Sequence, residues 1–440
     1  MSMSCVCSRW RSICLSTPRL WSRIELYFSE TNLPRDQPDR SLNQISLLLS
    51  RSRDSALDFT FYFLLGLDSE WGIDLFKPFA RESHRWRNAR IRLPVGLRTQ
   101  KTLITLDWPD NFSLLENLYM ETRDPYGVEV LPFTPHATIP RLNILTLKGN
   151  WQFKDNVRWG LASPESFQNI APKVLILDLT FLQWSTAAFA SPSTVVQIRG
   201  HFGMFVSPAT CRARCLEMYP GTRPKDVKIP LDLYLQMISL PNVTEFVFGR
   251  QRPSHPLANL TWDDMIFRPC LFPTAEFVDL VSARCNGAGR ITHFTLANYV
   301  INDTSLLQII THLPSLTFLC VDERFPYLES DPYTDAWDDD DDDEKDPNDV
   351  PNRDFSLTPA LFRSLTHLIS SLEELKLAFH PKFPDPPTAL EALWDFVASR
   401  SPEKGCLKKV WVYMEGHRGD IEADKRILSL RQMGLELFLD

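Results

Sequence analysis

One arrangement of apolar positions recurs along this chain: an apolar residue, two others, an apolar residue, one other, an apolar residue. It is spelled LENLYM (115–120), LNILTL (142–147), VLILDL (174–179), VTEFVF (243–248), ITHFTL (291–296), LTFLCV (316–321), LEELKL (372–377) and LKKVWV (407–412). LITLDW (103–108) and WSRIEL (21–26) are looser copies. Alternation at the end of each phrase is the mark of a strand with one buried face, so each copy predicts a strand. Between the phrases run helical stripes. SLNQISLLLSR (41–51), SLLQIITHL (305–313), ALFRSLTHLI (360–369) and ALEALWDFV (389–397) carry apolar residues at helical spacing. Thr358-Pro359 and Pro386-Pro387-Thr388 stand where two of these helices start. Proline also precedes four of the strand phrases, as in IPRLNILTL and LPSLTFLCV, where it ends the incoming helix.

Strand, connection, helix, turn and strand in alternation imply a parallel sheet with helices on one side. A single such phrase would suit any buried strand of an α/β domain. Eight copies favour short units stacked on one another, an irregular leucine-rich-repeat-like solenoid. The expected fold class is therefore α/β, with a short helical segment at 1–26 and the repeat region at 27–440. The wide interval from 179 to 243 holds either a degenerate repeat around TVVQIRG (194–200) or a loop.

Charge changes one detail of this picture. The chain has 440 residues and a net charge of −8. The segment 329–354 carries thirteen acidic residues against Lys345 and Arg353, a local −11 that leaves +3 for the rest. Self-repulsion makes this segment a solvated acidic insert. No basic face for nucleic acid is evident. Nine cysteines, an odd number and mostly isolated, suit a reducing compartment, cytoplasm or nucleus. Cys211 and Cys215 have no second pair at zinc spacing, so no metal is expected. Apolar runs such as FTFYFLLGL (59–67) are too short to cross a bilayer, and no membrane partner is expected.

Candidate chemistry is sparse. The chain contains no nucleophile elbow, P-loop, HExxH helix or dinucleotide-binding turn, and GAGR (287–290) reads as a turn. The expectation is a protein without enzymatic activity and without a cofactor.

The opening stretch VCSRWRSICLSTPRLWSRIEL (6–26) is the most specific signal. Val6, Trp10, Ile13 and Cys14 share a helical face, and Thr17 is placed to cap a short second helix at Pro18. Val6-Cys7, Arg9-Trp10-Arg11, Thr17-Pro18-Arg19-Leu20-Trp21 and Ile24-Glu25-Leu26 resemble the second half of an F-box from the fungal F-box proteins with leucine-rich repeats. SHRWRNARIRLP (83–94) and IPRLNILTLKGN (139–150) resemble that family's helix-to-strand phrases. The family's F-box begins with a leucine-proline helix, and these 440 residues contain no copy of it.

The resemblance implies a substrate-recognition subunit of a Skp–cullin–F-box ubiquitin ligase. Its partners would be a Skp-type adaptor, the cullin scaffold and a target protein of unknown identity. Val6, Trp10, Pro18, Leu20 and Trp21 are then the expected adaptor contacts. The competing reading is that Trp10 and Trp21 only seal the end of the repeat stack, as capping units must. The alternative function is an adaptor-independent leucine-rich-repeat scaffold for protein–protein interaction.

Target binding is expected on the strand face turned from the core, at the third, fifth and seventh positions of each phrase. The candidates are Asn117, Tyr119 and Glu121, then Lys148, Asp178, Lys376, Trp411 and Tyr413. A terminal helix at 420–433 could equally cover the last two.

Overall fold

In the computed structural model the recurring phrase folds with a constant offset. Its first apolar residue is buried in the turn, and the strand begins two residues later. Leu115, Leu142, Val243, Ile291, Leu316, Leu372 and Leu407 are the buried turn residues. The structure describes residues 7–28, 38–63, 70–93, 112–122, 129–131, 138–148, 151–153, 172–178, 193–200, 209–220, 231, 235–236, 238–249, 270–285, 288–297, 299–324, 355–380, 383–402, 405–414 and 425–439. LITLDW and the acidic insert at 329–354 lie outside them.

The residue after each buried turn position forms a second repeat, made of backbone hydrogen bonds. Asn143 N–H donates to Glu116 O (2.7 Å), Thr292 to Thr244 O (2.9 Å), Thr317 to Thr292 O, Glu373 to Thr317 O (both 2.8 Å) and Lys408 to Glu373 O (2.7 Å). A buried turn would otherwise leave these N–H groups unpaired. Thr292 and Thr317 add their hydroxyls, each donating to the preceding carbonyl of the row.

The chain divides into two compact units, Met1–Arg214 and Cys215–Asp440. The first gives the main sheet seven parallel strands in sequence order: β1 (Arg23–Phe28), β2 (Leu57–Phe63), β3 (Trp86–Leu93), β4 (Asn117–Thr122), β5 (Ile144–Lys148), β6 (Val174–Asp178) and β7 (Val195–Gly200). Its helices are α1 (Ser8–Ser16), α2 (Pro38–Ser52) and α3 (Glu70–Arg81). The boundary expected after residue 26 falls inside β1, which pairs with β2 from Arg23 to Phe28.

The second unit repeats the plan. Its parallel strands are β8 (Cys215–Pro220), β9 (Glu245–Phe248), β10 (His293–Ala297), β11 (Phe318–Asp322), β12 (Glu374–Ala378), β13 (Lys409–Tyr413) and β14 (Glu436–Leu439). Its helices are α4 (Thr274–Asp279), α5 (Asp303–Thr311), α6 (Pro359–Leu368), α7 (Pro386–Arg400) and α8 (Lys425–Gln432). The expected starts hold. Thr358 Oγ1 accepts from Leu361 N–H ahead of Pro359, and Asp385 accepts from Thr388 N–H across the Pro386-Pro387 pair. Gly434, at φ 82°, makes the left-handed turn from α8 into β14.

Helices cover one strand face and build the core there. Phe59 stacks on Phe79 of α3 (4.9 Å), and Phe61 meets Phe76 edge-on (5.3 Å). In the second unit Phe246 and Phe248 meet Phe277 of α4 at 5.1 and 5.4 Å. The opposite face carries the polar rows described below. This arrangement is α/β with parallel strands, as the periodicity requires.

Three elements depart from the expected pattern. VLILDL is out of frame by two residues: Val174 opens β6 and only half buries, while Leu175 and Leu177 point inward. The described part of the interval 179–243 gives two strands to the main sheet, β7 at the expected TVVQIRG and β8, besides a small pair formed by Ala209–Thr210 and Ile238–Ser239. In β8 the phrase reads Ala213-x-x-Leu216-x-Met218, all three buried, and the alanine hides it. Helix α3 contains Pro78, which masks a helical stripe.

Candidate functional site

Two surfaces emerge, the opening helix and the outward strand face. Helix α1 is nine residues long and buries only Cys14. Its N-cap is Cys7, whose Sγ accepts from Trp10 N–H. Trp10 (52% exposed), Ile13 and Leu15 remain in solvent, and Leu20 joins them at 57%. An apolar set of this kind beside one buried cysteine is unusual for a surface helix, which normally turns its apolar stripe inward. A groove of about 360 Å³ opens beside Leu20, lined by Trp21, Ile24 and Leu26 of the chain's start and by Ile45 and Leu48 of α2.

The expected adaptor contacts separate here. Trp10 and Leu20 are exposed, and Pro18 is half-buried at the head of a single 3-10 turn, Pro18–Trp21. Val6 lies outside the described residues. Trp21 requires a correction, because its indole is buried. Its Nε1–H donates to Cys14 O at 2.6 Å, and the Arg51 guanidinium lies 4.5 Å over the ring. Trp21 therefore fastens α1 to the first repeat and offers a partner little area. Thr17 does not cap the turn that follows it. Its hydroxyl donates back to Ile13 O at 2.8 Å and closes α1 instead. Trp21→Ala should lower the urea-unfolding free energy by about 3 kcal/mol.

On the outward face of the first unit, strand register sets side chains in rows. One row runs Asp58, Asn88, Asn117. Asn88 Nδ2 donates to Asp58 Oδ1 (2.6 Å), and Asn117 Nδ2 donates to Asn88 Oδ1 (2.5 Å). Burial pushes the Asp58 carboxyl up, but bonds from Arg87 and Asn88 outweigh it and hold the group below its ordinary value. Asn117 is thus a ladder residue whose amide is already engaged.

A second row runs Tyr27, Tyr62, Arg92, Glu121, Lys148, Asp178 by register. Glu121 is buried and takes Arg92 at 3.3 Å, Lys148 at 3.7 Å and the Tyr119 hydroxyl at 2.8 Å. Desolvation, then the Glu121 charge, push the Tyr119 phenol well above its ordinary range, so it stays a donor. The face is therefore built and charge-ordered, and Glu121 is its hub rather than an open contact. Asp178 stands beside Lys148 in register; its side chain is outside the described set. Arg90, between Tyr62 and Tyr119, was absent from the sequence candidates. The alternation in RNARIRL contained the signal, since Asn88, Arg90 and Arg92 occupy the outward parity of β3.

In the second unit Lys376 is exposed and Trp411 and Tyr413 are half-buried. Trp411 stacks flat on Phe438 of β14 at 5.0 Å. Arg324, held by both Asp322 oxygens, caps the Tyr413 ring at 4.1 Å. Helix α8 buries Ile427 and Leu430 and packs on α7, so the terminal helix leaves the Trp411–Phe438 pair uncovered.

Among the described residues no group of three His, Cys, Asp or Glu side chains is placed to hold a metal, and no helix is long and apolar enough to cross a membrane. The free thiols of Cys211, Cys285 and Cys320 are buried, and desolvation pushes each up, to about 11, 12 and 11. No family model matches the chain, and no curated protein matches it either.

Proposed function

We propose that this chain is the substrate-recognition subunit of a Skp–cullin–F-box ubiquitin ligase, binding its target through leucine-rich-repeat-like strands. The observation that carries this reading is the exposed apolar set Trp10, Ile13, Leu15 and Leu20, held at the head of a stack of parallel strand–helix units. A helix nine residues long that buries one side chain contributes little to stability by itself. Its apolar residues suit a partner that covers them. The strand face then supplies a second, separate surface for the target, with no chemistry asked of either. Such a receptor works by raising the effective concentration of target lysines near a bound conjugating enzyme, in the cytoplasm or nucleus.

The test is co-expression of the chain with a Skp-type adaptor, followed by gel filtration. A one-to-one complex is expected, weakened at least tenfold by the double substitution Trp10→Ala, Leu20→Ala with no change in melting temperature. Both residues are exposed, so folding is insensitive to them while binding is not. Absence of a complex would favour the adaptor-independent scaffold, and a complex indifferent to both substitutions would move the contact elsewhere.

A further inference from the structure

Among the described ionic side chains on the outward face of strands β1 to β5, those placed beside Arg90 are matched. Arg87 bonds Asp58, Arg23 lies 3.3 Å from Glu25, and Arg92 and Lys148 share Glu121. Arg90 is the exception. Its side chain is exposed, and no carboxylate among the described residues lies within ion-pair distance of it. It is nonetheless held, with its guanidinium carbon 4.6 Å from the Tyr119 ring centre and 5.4 Å from that of Tyr62. Tyr119 is in turn fixed by its bond to Glu121, and Tyr62 by the edge-on Tyr27 at 5.3 Å.

We infer that Arg90 is an anion-reading position, which takes a carboxylate side chain from an acidic peptide segment of the target. The inference rests on reading the strand face as the target surface, and it names the chemistry of what binds there. A guanidinium clamped between two rings has already lost most of its rotamer freedom, so less entropy is lost when a carboxylate engages it. The ring faces satisfy its π surface and leave its N–H edges to meet a ligand in the fork geometry that carboxylates match. Local charge agrees: Arg92 and Lys148 both pair with Glu121, so that carboxylate is already taken by two cations beside Arg90. Nucleic acid fits less well. Binding of a strand calls for open aromatic faces as stacking platforms, and here the faces of Tyr62 and Tyr119 are taken by arginine.

The experiment titrates the full chain into a fluorescein-labelled deca-glutamate peptide and, separately, into a labelled ten-residue oligothymidine, reading anisotropy at low salt. Saturable binding of deca-glutamate is expected, weakening as salt rises. Arg90→Ala should weaken it at least tenfold, and Arg90→Lys several-fold, since a point charge keeps the attraction but loses the clamp. Lys77→Ala, on α3, serves as the control and should leave binding unchanged. Equal melting temperatures for the three variants exclude misfolding as the cause. Deca-glutamate binding that is absent, or that is indifferent to Arg90→Ala, overturns the inference, as does tighter binding of the oligothymidine. The adaptor experiment is independent: loss of that complex with Arg90-dependent peptide binding intact would overturn the ligase reading and leave this one standing.

Discussion

Trp86→Ala should destabilise the first unit by about 4 kcal/mol. Trp86 opens β3 and is fully buried. Its ring lies 5.0 Å from Phe59, 6.2 Å from Phe76 and 6.1 Å from Phe112, so it joins β2, α3 and the turn before β4. Its indole N–H donates to Phe79 O at 3.0 Å, near the end of α3. Alanine would remove about nine heavy atoms from a site whose neighbours are rigid rings with few rotamers, so the cavity would collapse poorly. It would also remove one of two hydrogen bonds to Phe79 O, which keeps the bond from Glu82 N–H (3.0 Å). The check is urea denaturation followed by far-ultraviolet circular dichroism. Trp86→Phe, which keeps the ring and loses the donor, should cost about half as much. Equal losses for the two would assign the effect to the hydrogen bond rather than to the cavity.

The same tryptophan shows why parts of the fold were legible and others were not. SHRWRNARIRLP announced a turn and a strand because Trp86, Ala89 and Ile91 keep the spacing of the recurring phrase, Trp86 at the turn and the other two facing inward. The second unit was clearer still, since large apolar residues, from Phe246 and Phe248 to Val410 and Val412, fill the inward positions of β9 to β13. Where a small residue takes the turn position, as Ala213 does before β8, the pattern loses its first apolar mark although the packing survives. Where proline enters a helix, as at Pro78, the local rule argues against the element that tertiary packing nonetheless holds.

The outward face was legible only as parity. Periodicity said that Tyr119 and Glu121 face away from the core, and they do. It could not say that Glu121 is buried under two cations and a phenol, or that Trp21 turns inward to bond Cys14. The two cations on Glu121 come from the neighbouring strands, and Trp21 reaches Cys14 only because the chain turns back at Thr17-Pro18. Arg90 illustrates the gap from the other side. Nothing in RNARIRL distinguishes it from Arg92, and only the register shows that one arginine meets a carboxylate while the other is left between two rings.

Stability of the second unit should fall as pH rises from about 4.5 to about 7, and Glu323→Gln should abolish that fall. Glu323 follows β11 and is buried. Its Oε1 accepts from Ser356 N–H (2.7 Å), Ser356 Oγ–H (2.6 Å) and Leu357 N–H (3.3 Å), so it ties the end of β11 to the segment leading into α6. Its Oε2 has no hydrogen-bond partner among the described residues. Burial pushes the carboxyl up from 4.5 to about 7, and the bonds from Ser356 and Leu357 offset only part of this. The folded chain therefore retains a proton between those two values that the unfolded chain gives up. Folding is favoured below the window and loses that advantage as pH climbs through it. Above pH 7 the buried anion costs about 3 kcal/mol by the same linkage. Glutamine keeps the acceptor for Ser356 and carries no charge, so Glu323→Gln should be the more stable protein at pH 8 and nearly equal to the wild type at pH 5. Glu323→Ala instead strands the Ser356 and Leu357 donors and should be destabilised by about 3 kcal/mol at pH 5. Urea midpoints of the three proteins at both pH values decide the matter. A constant difference between wild type and Glu323→Gln across the range would mean that the carboxyl ionises as readily folded as unfolded, and that the Ser356 bonds outweigh its burial.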